Sequence, residues 1–323
     1  MIRHLVSGLV VVGALAAAIA AEPEAIVAPT AEDQALAARA LVVIQAGRET
    51  AARESMNLAA HRWPAPALQM LQGATPATAS QLASARNVVA QLVGLAQKGQ
   101  AWPRLVPIAV PRAAGPIHID GEANEPAWQK SWASSTLYWY DHPEPLEKPG
   151  TRWRLLWDEQ NLYVAFECDD SEIVSKDRPR DDAVYMDDCV EIFLHTAAVP
   201  QQYWELVINP TGSVFDALHT KKMDDWGPQP GGPAATMKGL QFATKIRRDP
   251  ATGATRGYTT EVAVPLAQLP GFVTDRPPRA GDKFYGVLAR LDVNDGKMKA
   301  YACVPLLNWG HNIWNHVPLV LAP

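Results

Sequence analysis

The sequence has 323 residues, enough for one large domain or two ordinary ones. Hydrophobic residues make up 48% of it and charged residues 20%, a composition that can form a buried core. The net charge is −5, so the chain has no surplus of basic residues to neutralise phosphates, and we do not expect it to bind nucleic acid.

Residues 1–21, MIRHLVSGLVVVGALAAAIAA, have the pattern of a secretory signal peptide. Arg3 comes before an apolar run, and small residues at its end include the A-x-A pattern Ala18-Ile19-Ala20. The short run favours a signal peptide over a membrane anchor, and no later segment is long and apolar enough to span a bilayer. We therefore expect an exported protein, secreted or periplasmic, with no membrane span after signal removal.

Residues 22–101 are predicted to be an α-helical region. The stretch AEDQALAARALVVIQAGRETAARESMNLAA has helical periodicity, and Thr30 with Asp33 forms a predicted capping box at its start. A second helical stretch, TASQLASARNVVAQLVGLAQ, follows a segment rich in helix breakers. The region contains no cluster of ligand-type residues. We interpret it as a spacer, or as a docking element for a partner such as a glycoside hydrolase or a cell-surface component.

Residues 102–116, WPRLVPIAVPRAAGP, are predicted to be a linker between two domains. The segment contains four prolines, a density that excludes a helix and favours an extended, semi-rigid chain.

Residues 117–323 are predicted to form an antiparallel β-sandwich, so the fold class is mainly β, with a small α-helical region before the sandwich. Strand patterns such as NLYVAFECDD, CVEIFLH and YWELVINP recur between turn signals, of which 158–161 (DEQN) and 209–212 (NPTG) are the clearest. The strand patterns also contain all three cysteines, which we interpret as small buried hydrophobic residues: Cys168, Cys189 and Cys303.

The stretch 187–195, DDCVEIFLH, alternates with the period of a β-strand, and one of its two faces carries an unexpected charge. Val190, Ile192 and Leu194 form one apolar face. The other face carries Glu191 between Cys189 and Phe193, neither of which favours water. A carboxylate in such a setting calls for a functional explanation.

The second half of the chain resembles carbohydrate-binding module family 9 over residues 117–323. The resemblance rests on an ordered set of segments: IHIDGEANEPAW (117–128), LLWDEQNLYVAFECDD (155–170), DDCVEIFLH (187–195), YWELVINPTG (203–212), LDVND (291–295) and NWGHNIWNHVPLVL (308–321). It implies a β-sandwich that binds a carbohydrate without catalysis, in an exported protein that assists carbohydrate catabolism.

The resemblance also implies a site in which two aromatic side chains clamp a sugar ring. The matching aromatic residues are Tyr185 and Trp309, and the strand glutamate of the family falls on Glu191, as an acceptor for sugar hydroxyls. Asn308 and Asn209 are candidates for amide contacts, although the NPTG turn also requires Asn209 for its geometry. This residue set suits a pyranose, because flat aromatic surfaces bind its C–H faces while carboxylates and amides bind its hydroxyl edge.

No cofactor is required for binding of this kind. Members of the family hold structural calcium, and the loops here offer four carboxylates with the oxygen ligands that calcium prefers: Asp169, Asp170, Asp187 and Asp188. A solvated acidic rim explains the same four residues, so the metal content stays open at this stage.

Two other functions remain open. A glycoside hydrolase needs two carboxyl groups that flank one bond. The possible partners of Glu191 are Asp188, Glu205 and Glu261, and none of them is a convincing match in its context and in its position in the strand alternation. Related sandwiches carry haem, for which the conceivable axial ligands are Met186, Met223, His195 and His219.

Overall fold

The structure is a computed structural model. It describes residues 25–53, 64–97, 106–140, 145–147, 150–199, 202–220, 235–306, 310–311 and 316–323. The predicted signal peptide lies outside these residues. No helix among them combines the length and the apolar character needed to cross a membrane.

Helices precede the β-rich part of the chain, as predicted, but the described residues hold three of them rather than two, and they form a unit with its own core. Their bounds, with those of the short antiparallel strand pair beside them, are α1 Ala31–Arg53, α2 Pro64–Leu71, α3 Ala79–Gln97, β1 Ile26–Val27 and β2 Ala77–Thr78. The additional helix, α2, lies in the segment that is rich in helix breakers. The core is formed by buried side chains such as Leu71 and Leu82.

The predicted capping box starts α1. The Thr30 amide donates to Oδ2 of Asp33 (2.7 Å), and the Asp33 amide donates to the Thr30 hydroxyl (3.2 Å). Asp33 is buried and also accepts hydrogen bonds from Arg86 on α3, with Nη2 at 2.9 Å. This ion pair lowers the pKa of Asp33 to about 2, and it connects the first helix to the third.

The smaller of two sheets has four antiparallel strands in the order β10-β11-β6-β5. Their bounds are β5 Thr151–Trp157, β6 Asn161–Asp169, β10 Gln241–Arg248 and β11 Thr255–Pro265. The predicted turn between β5 and β6 is closed by Asp158, whose Oδ1 accepts hydrogen bonds from the amides of Gln160 (2.8 Å) and Asn161 (2.7 Å). An aspartate that bonds the backbone two residues ahead is a typical turn former.

The larger sheet has eight strands, with a main order of β3-β14-β12-β7-β8-β9. The bounds are β3 Ile108–Val110, β4 Tyr138–Trp139, β7 Cys189–His195, β8 Gln202–Ile208, β9 Val214–Thr220, β12 Lys283–Asn294, β13 Lys297–Ala302 and β14 Val317–Leu321. β13 pairs with the second half of β12, and β4 pairs with β13. All these pairings are antiparallel except the parallel pairing of β3 with β14. One short α-helix, α4 Pro126–Lys130, lies among the described residues of this half, together with short 3-10 helices.

The two sheets pack face to face, which confirms the mainly β fold class. The core between them is lined by Val190, Ile192 and Leu194 of β7 and by residues such as Leu155 and Val164 of the smaller sheet. All three cysteines are buried, and none forms a disulfide.

The Pro-rich segment contributes a strand to the larger sheet. Ile108–Val110 lies between Pro107 and Pro111 and pairs with the outer edge of β14. Proline lacks an amide hydrogen and is tolerated at strand ends and at sheet edges, so the two prolines bound this strand without breaking the sheet. The domain boundary at residues 102–116 stays a prediction.

Candidate functional site

The candidate site lies on the face of the larger sheet that points away from the smaller sheet. On β7 this face carries Cys189, Glu191, Phe193 and His195, because successive side chains of a strand alternate between faces. Strand pairing places residues of β8 and β9 beside them in three rows: Glu191–Val207–Phe215, Phe193–Glu205–Ala217 and His195–Tyr203–His219. The face therefore combines two carboxyl groups, aromatic rings and imidazoles.

Glu191 is buried on this face, with 6% of its surface exposed. The Tyr140 hydroxyl donates a hydrogen bond to its Oε2 at 3.4 Å. Burial raises the pKa of Glu191 to about 8, and the charge of Glu205 adds to that rise. At neutral pH the side chain is therefore mainly a neutral acid that both donates and accepts hydrogen bonds, rather than the charged acceptor expected from the sequence.

Glu205 is held by two histidines and lies at the centre of the face. Its Oε2 is 2.6 Å from Nε2 of His219, and its Oε1 is 3.5 Å from Nε2 of His311. The Tyr203 hydroxyl lies 2.9 Å from Nδ1 of His311, and the Tyr203 ring stacks on His219 with centroids 4.7 Å apart. Glu205 and Glu191 point to the same face of the sheet. The interpretation from the sequence, that the position of Glu205 in the strand alternation does not match that of Glu191, is therefore wrong.

Two more histidines form a hydrogen-bonded pair at the end of the face. Nδ1 of His195 lies 2.9 Å from Nδ1 of His316, and Nε2 of His316 donates to the Gly310 carbonyl at 2.7 Å. Since Nε2 carries the proton of a neutral His316, its Nδ1 accepts, and His195 donates. Burial lowers the pKa of His195 well below its usual value, which keeps it neutral.

Tyr185 lies at the margin of this face, on the short 3-10 helix Val184–Met186. It is 42% exposed, and its ring meets Phe215 edge-on with centroids 5.8 Å apart. Phe215 ends the row that begins with Glu191. Tyr185 and Glu191 therefore belong to one face, with a row of apolar side chains between them.

The other predicted ligand residues are in different situations. Asn308 and Trp309 lie outside the described residues. Asn209 is fully buried in the turn between β8 and β9, where its amide nitrogen donates to the Lys176 carbonyl (2.8 Å) and its oxygen accepts from the Ser213 amide (2.8 Å). These bonds give Asn209 a turn-forming role.

The candidate haem ligands that the structure describes have separate surroundings. His195 bonds to His316, whereas His219 bonds to Glu205. Met186 is exposed beside Tyr185, and Met223 lies outside the described residues.

The four acidic residues proposed for calcium separate into two groups. Asp169 is exposed and pairs with Arg247, and Asp187 pairs with Arg178. Asp170 and Asp188 converge instead with Asp292, a residue that sequence analysis did not select, and ligand oxygens of the three lie within 4.8 Å of one another.

Two of these three carboxyl groups, those of Asp170 and Asp292, pair with the buried guanidinium of Arg290. Nη2 of Arg290 lies 3.1 Å from Asp170 and 2.7 Å from Asp292. Burial raises the pKa of Asp188 to about 6, and the two neighbouring carboxyl groups add to the rise. Three buried carboxyl groups and one guanidinium leave an excess of negative charge. Carboxylate oxygens are the ligands that a hard divalent cation prefers, so the group fits such a cation in charge and in ligand type.

The two packed sheets, one with a face of polar and aromatic side chains, define a β-sandwich module. A family model described as "Carbohydrate family 9 binding domain-like" matches residues 119–297. The match spans more than half of the chain, and the chain belongs to this family, which confirms the resemblance seen in the sequence. The matched region ends before Asn308 and Trp309, whose assignment stays a prediction. No curated protein matches the chain.

Solved structures that are similar to the chain include the following three. One is a "putative carbohydrate-binding protein" from Bacteroides uniformis ATCC 8492, with 14% identity, coverage of 66% of this chain and 98% of that one, and a TM-score of 0.49. The second is a family 9 carbohydrate binding module from Caldicellulosiruptor kristjanssonii in complex with cellotriose, with 18% identity, 67% and 94% coverage, and a TM-score of 0.45. The third is a family 9 module from the same organism in complex with glucose, with 18% identity, 60% and 84% coverage, and a TM-score of 0.38.

Sequence analysis selected Glu191 and Tyr185 as candidates for ligand binding and did not select Tyr140, Tyr203 or His311, which the structure places near the same face. For Tyr203 a signal was present, because QYWELVI alternates with period 2 and places Tyr203 and Glu205 on one face. For Tyr140 and His311 the sequence offers no such signal, since both approach from outside the strands that form the face.

Proposed function

We propose that the chain is an exported, non-catalytic carbohydrate-binding protein that assists carbohydrate catabolism. The observation that carries the proposal is the single sheet face of a family 9 sandwich to which the buried Glu191 and the exposed Tyr185 both belong. An exposed aromatic ring offers a surface for the C–H face of a sugar, and a neutral acid supplies both a donor and an acceptor for hydroxyls. Trp309 is proposed as the second aromatic residue of the clamp.

Binding is favoured over hydrolysis by the arrangement of the two carboxyl groups. Glu191 and Glu205 project from the same face of one sheet, but Glu205 is engaged by His219 and His311. Glycoside hydrolysis requires two carboxyl groups that can act on the scissile bond, and the second of these is held by its imidazole partners.

A glycan array with the full mature chain tests the proposal. Mono-, oligo- and polysaccharide ligands are screened, and the best ligand is then incubated with the protein to measure the release of reducing ends. We expect saturable binding without release of reducing sugar. Hydrolysis that disappears in Glu191→Gln would make the protein an enzyme, and the absence of any glycan ligand would remove the proposed function.

We further propose that Asp170, Asp188 and Asp292 hold a structural calcium ion beside Arg290. The ion would offset the negative excess of this buried group. A chelator should then lower the melting temperature of the wild-type chain, and added calcium should restore it. The control is Asp188→Asn, in which the chelator should have a smaller effect; equal melting curves with and without chelator in the wild type would exclude the ion.

A further inference from the structure

A second group of metal-ligand side chains lies on the candidate ligand-binding face, formed by Glu205, His219 and His311. One ligand atom from each residue lies within 4.8 Å of the others. Glu205 comes from β8, His219 comes from β9, and His311 enters from outside the sheet. Glu205 and His219 are buried, while 16% of the His311 side chain is exposed. The group therefore has a closed inner side and a partly open outer side.

The packing around His311 directs its Nε2 towards Glu205. The neighbouring Gly310 lies directly on the Phe193 ring, where an added Cβ atom would overlap Cε2 of that ring. Only glycine allows such a close approach, which brings His311 over the sheet. The Tyr203 hydroxyl, 2.9 Å from Nδ1 of His311, then fixes the orientation of the imidazole. Metal-binding histidines are characteristically oriented in this way by a partner on the other ring nitrogen.

The ligand set fits a transition metal better than calcium or magnesium. Two imidazole nitrogens and one carboxylate form the set found in His₂Glu zinc sites, which leave a fourth position for water or substrate. Calcium and magnesium prefer oxygen ligands alone. The group is thus chemically distinct from the all-carboxylate group around Arg290.

The distances agree with a site that a metal ion could enter after a small adjustment. Ligand atoms of a tetrahedral zinc site, with bonds of about 2.0–2.2 Å, are separated by roughly 3.3–3.5 Å. The separation of 3.5 Å between Glu205 and His311 already matches this range. The separation of 2.6 Å between Glu205 and His219 is that of a direct hydrogen bond and must widen by less than about 1 Å.

We propose that Glu205, His219 and His311 bind a divalent transition-metal ion of the zinc type, with one coordination position left for water or a ligand oxygen. The inference goes beyond the proposed carbohydrate binding and does not depend on it. The competing state is a simple hydrogen-bonded Glu–His–His group without metal.

The first test is a metal titration of the full mature chain. The protein carries no affinity tag, and a chelator has removed any bound metal from it. Titration calorimetry with Zn²⁺ should give one site per chain, and Co²⁺ should give the visible absorption of a four-coordinate nitrogen and oxygen site without a thiolate charge-transfer band. A wild-type chain that binds neither ion more tightly than about 0.1 mM would overturn the proposal.

Variants then locate the site. His311→Ala and Glu205→Gln should each weaken Zn²⁺ binding by at least about 100-fold, since loss of an outer hydrogen-bond partner alone weakens metal sites about 10–100-fold. Tyr203→Phe removes only such a partner and should weaken binding by about 10–100-fold. The control is His118→Ala, at an exposed histidine outside the group, which should bind like the wild type.

Melting curves of the metal-free variants show whether each one folds. If Glu205→Gln does not fold, His311→Ala decides the outcome, because its side chain lies at the open side of the group. Wild-type affinity in the folded His311→Ala variant, or an equal loss in His118→Ala, would place the metal elsewhere and refute the assignment.

Discussion

Glu191 and Glu205 are diagonal neighbours on adjacent strands of the same sheet face. Glu191 pairs with Val207, and the residue opposite Glu205 is Phe193. Both carboxyl groups are buried, so the charge of Glu205 makes ionisation of Glu191 less favourable. The pKa of Glu191 is raised to about 8 by burial first and by Glu205 second. The fold thus favours the neutral form of Glu191 at neutral pH.

This relationship predicts a pH-dependent stability that Glu191→Gln removes. The folded pKa lies above the usual value of 4.5, so folding favours the protonated form. The free energy of unfolding should then fall as the pH rises from about 4.5 to about 8, by up to about 1.4 kcal/mol per pH unit. The amide of the variant cannot ionise, so Glu191→Gln should lose less stability than the wild type over this range.

Melting temperatures between about pH 5 and pH 9 measure this effect across the titration range of the raised pKa. Glu172→Gln is the matched control, because Glu172 is exposed and its variant should follow the wild-type curve. Parallel curves for the wild type and Glu191→Gln would show that Glu191 ionises as easily in the folded state as in the unfolded chain.

Tyr185 should contribute to carbohydrate affinity through its ring alone. Tyr185→Ala should weaken binding of the best glycan by roughly 1–2 kcal/mol, or about 5–30-fold, because an exposed aromatic surface is lost. Tyr185→Phe keeps the ring and should bind like the wild type. Titration calorimetry measures both, and Met298→Ala is a control at another exposed apolar side chain. Equal affinity of Tyr185→Ala and the wild type would exclude Tyr185 from the site.

Trp309 is predicted to provide the larger half of the aromatic clamp. Trp309→Ala should cost on the order of 2 kcal/mol, or about thirtyfold in affinity. The same calorimetric titration measures this loss, with the melting temperature as the check on the fold. If the folded variant binds normally, the assignment of the final loop from the sequence is wrong.

The ion pair between Asp33 and Arg86 should make the helical unit acid-sensitive. The folded pKa of Asp33 is lowered to about 2 from 3.8, so its contribution to stability is present above pH 3.8 and is lost as the pH falls to about 2. Arg86 is partly exposed, which limits the contribution to about 1 kcal/mol or less. Asp33→Asn should abolish this part of the acid transition, as monitored by far-ultraviolet circular dichroism of the full chain. An unchanged acid transition would show that the ion pair does not contribute to it.

The strand contributed by the Pro-rich segment predicts a difference between two fragments. Fragment 117–323 lacks Ile108–Val110 and also loses the hydrogen bonds between Pro111–Ala113 and Trp157, whereas fragment 106–323 keeps them. At about 1 kcal/mol per net hydrogen bond, the shorter fragment should melt roughly 5–10 °C lower. Circular dichroism melts of both fragments test this. Equal melting temperatures would support a domain that begins at residue 117.

Features that depend on one strand at a time could be predicted from the sequence. The alternation in CVEIFLH gave both faces of β7, and the helix start at Thr30 followed from a local capping pattern. Features that depend on several distant segments could not be predicted from the sequence. The sequence does not specify which residue of β8 lies opposite Phe193, so the proximity of Glu205 to Glu191 emerged only from the strand register. Asp292 was missed beside Asp170 for the same reason.

The parallel pairing of β3 with β14 has a consequence for the order of folding. It joins segments separated by roughly 200 residues, and the Trp157 indole donates to the Ala322 carbonyl at 2.7 Å beside it. Contacts between such distant parts of a chain form late and slow the overall folding rate. A nascent chain cannot complete its larger sheet until β14 has been synthesised. We therefore expect the strand β3 to stay unpaired while the segments between β3 and β14 are made.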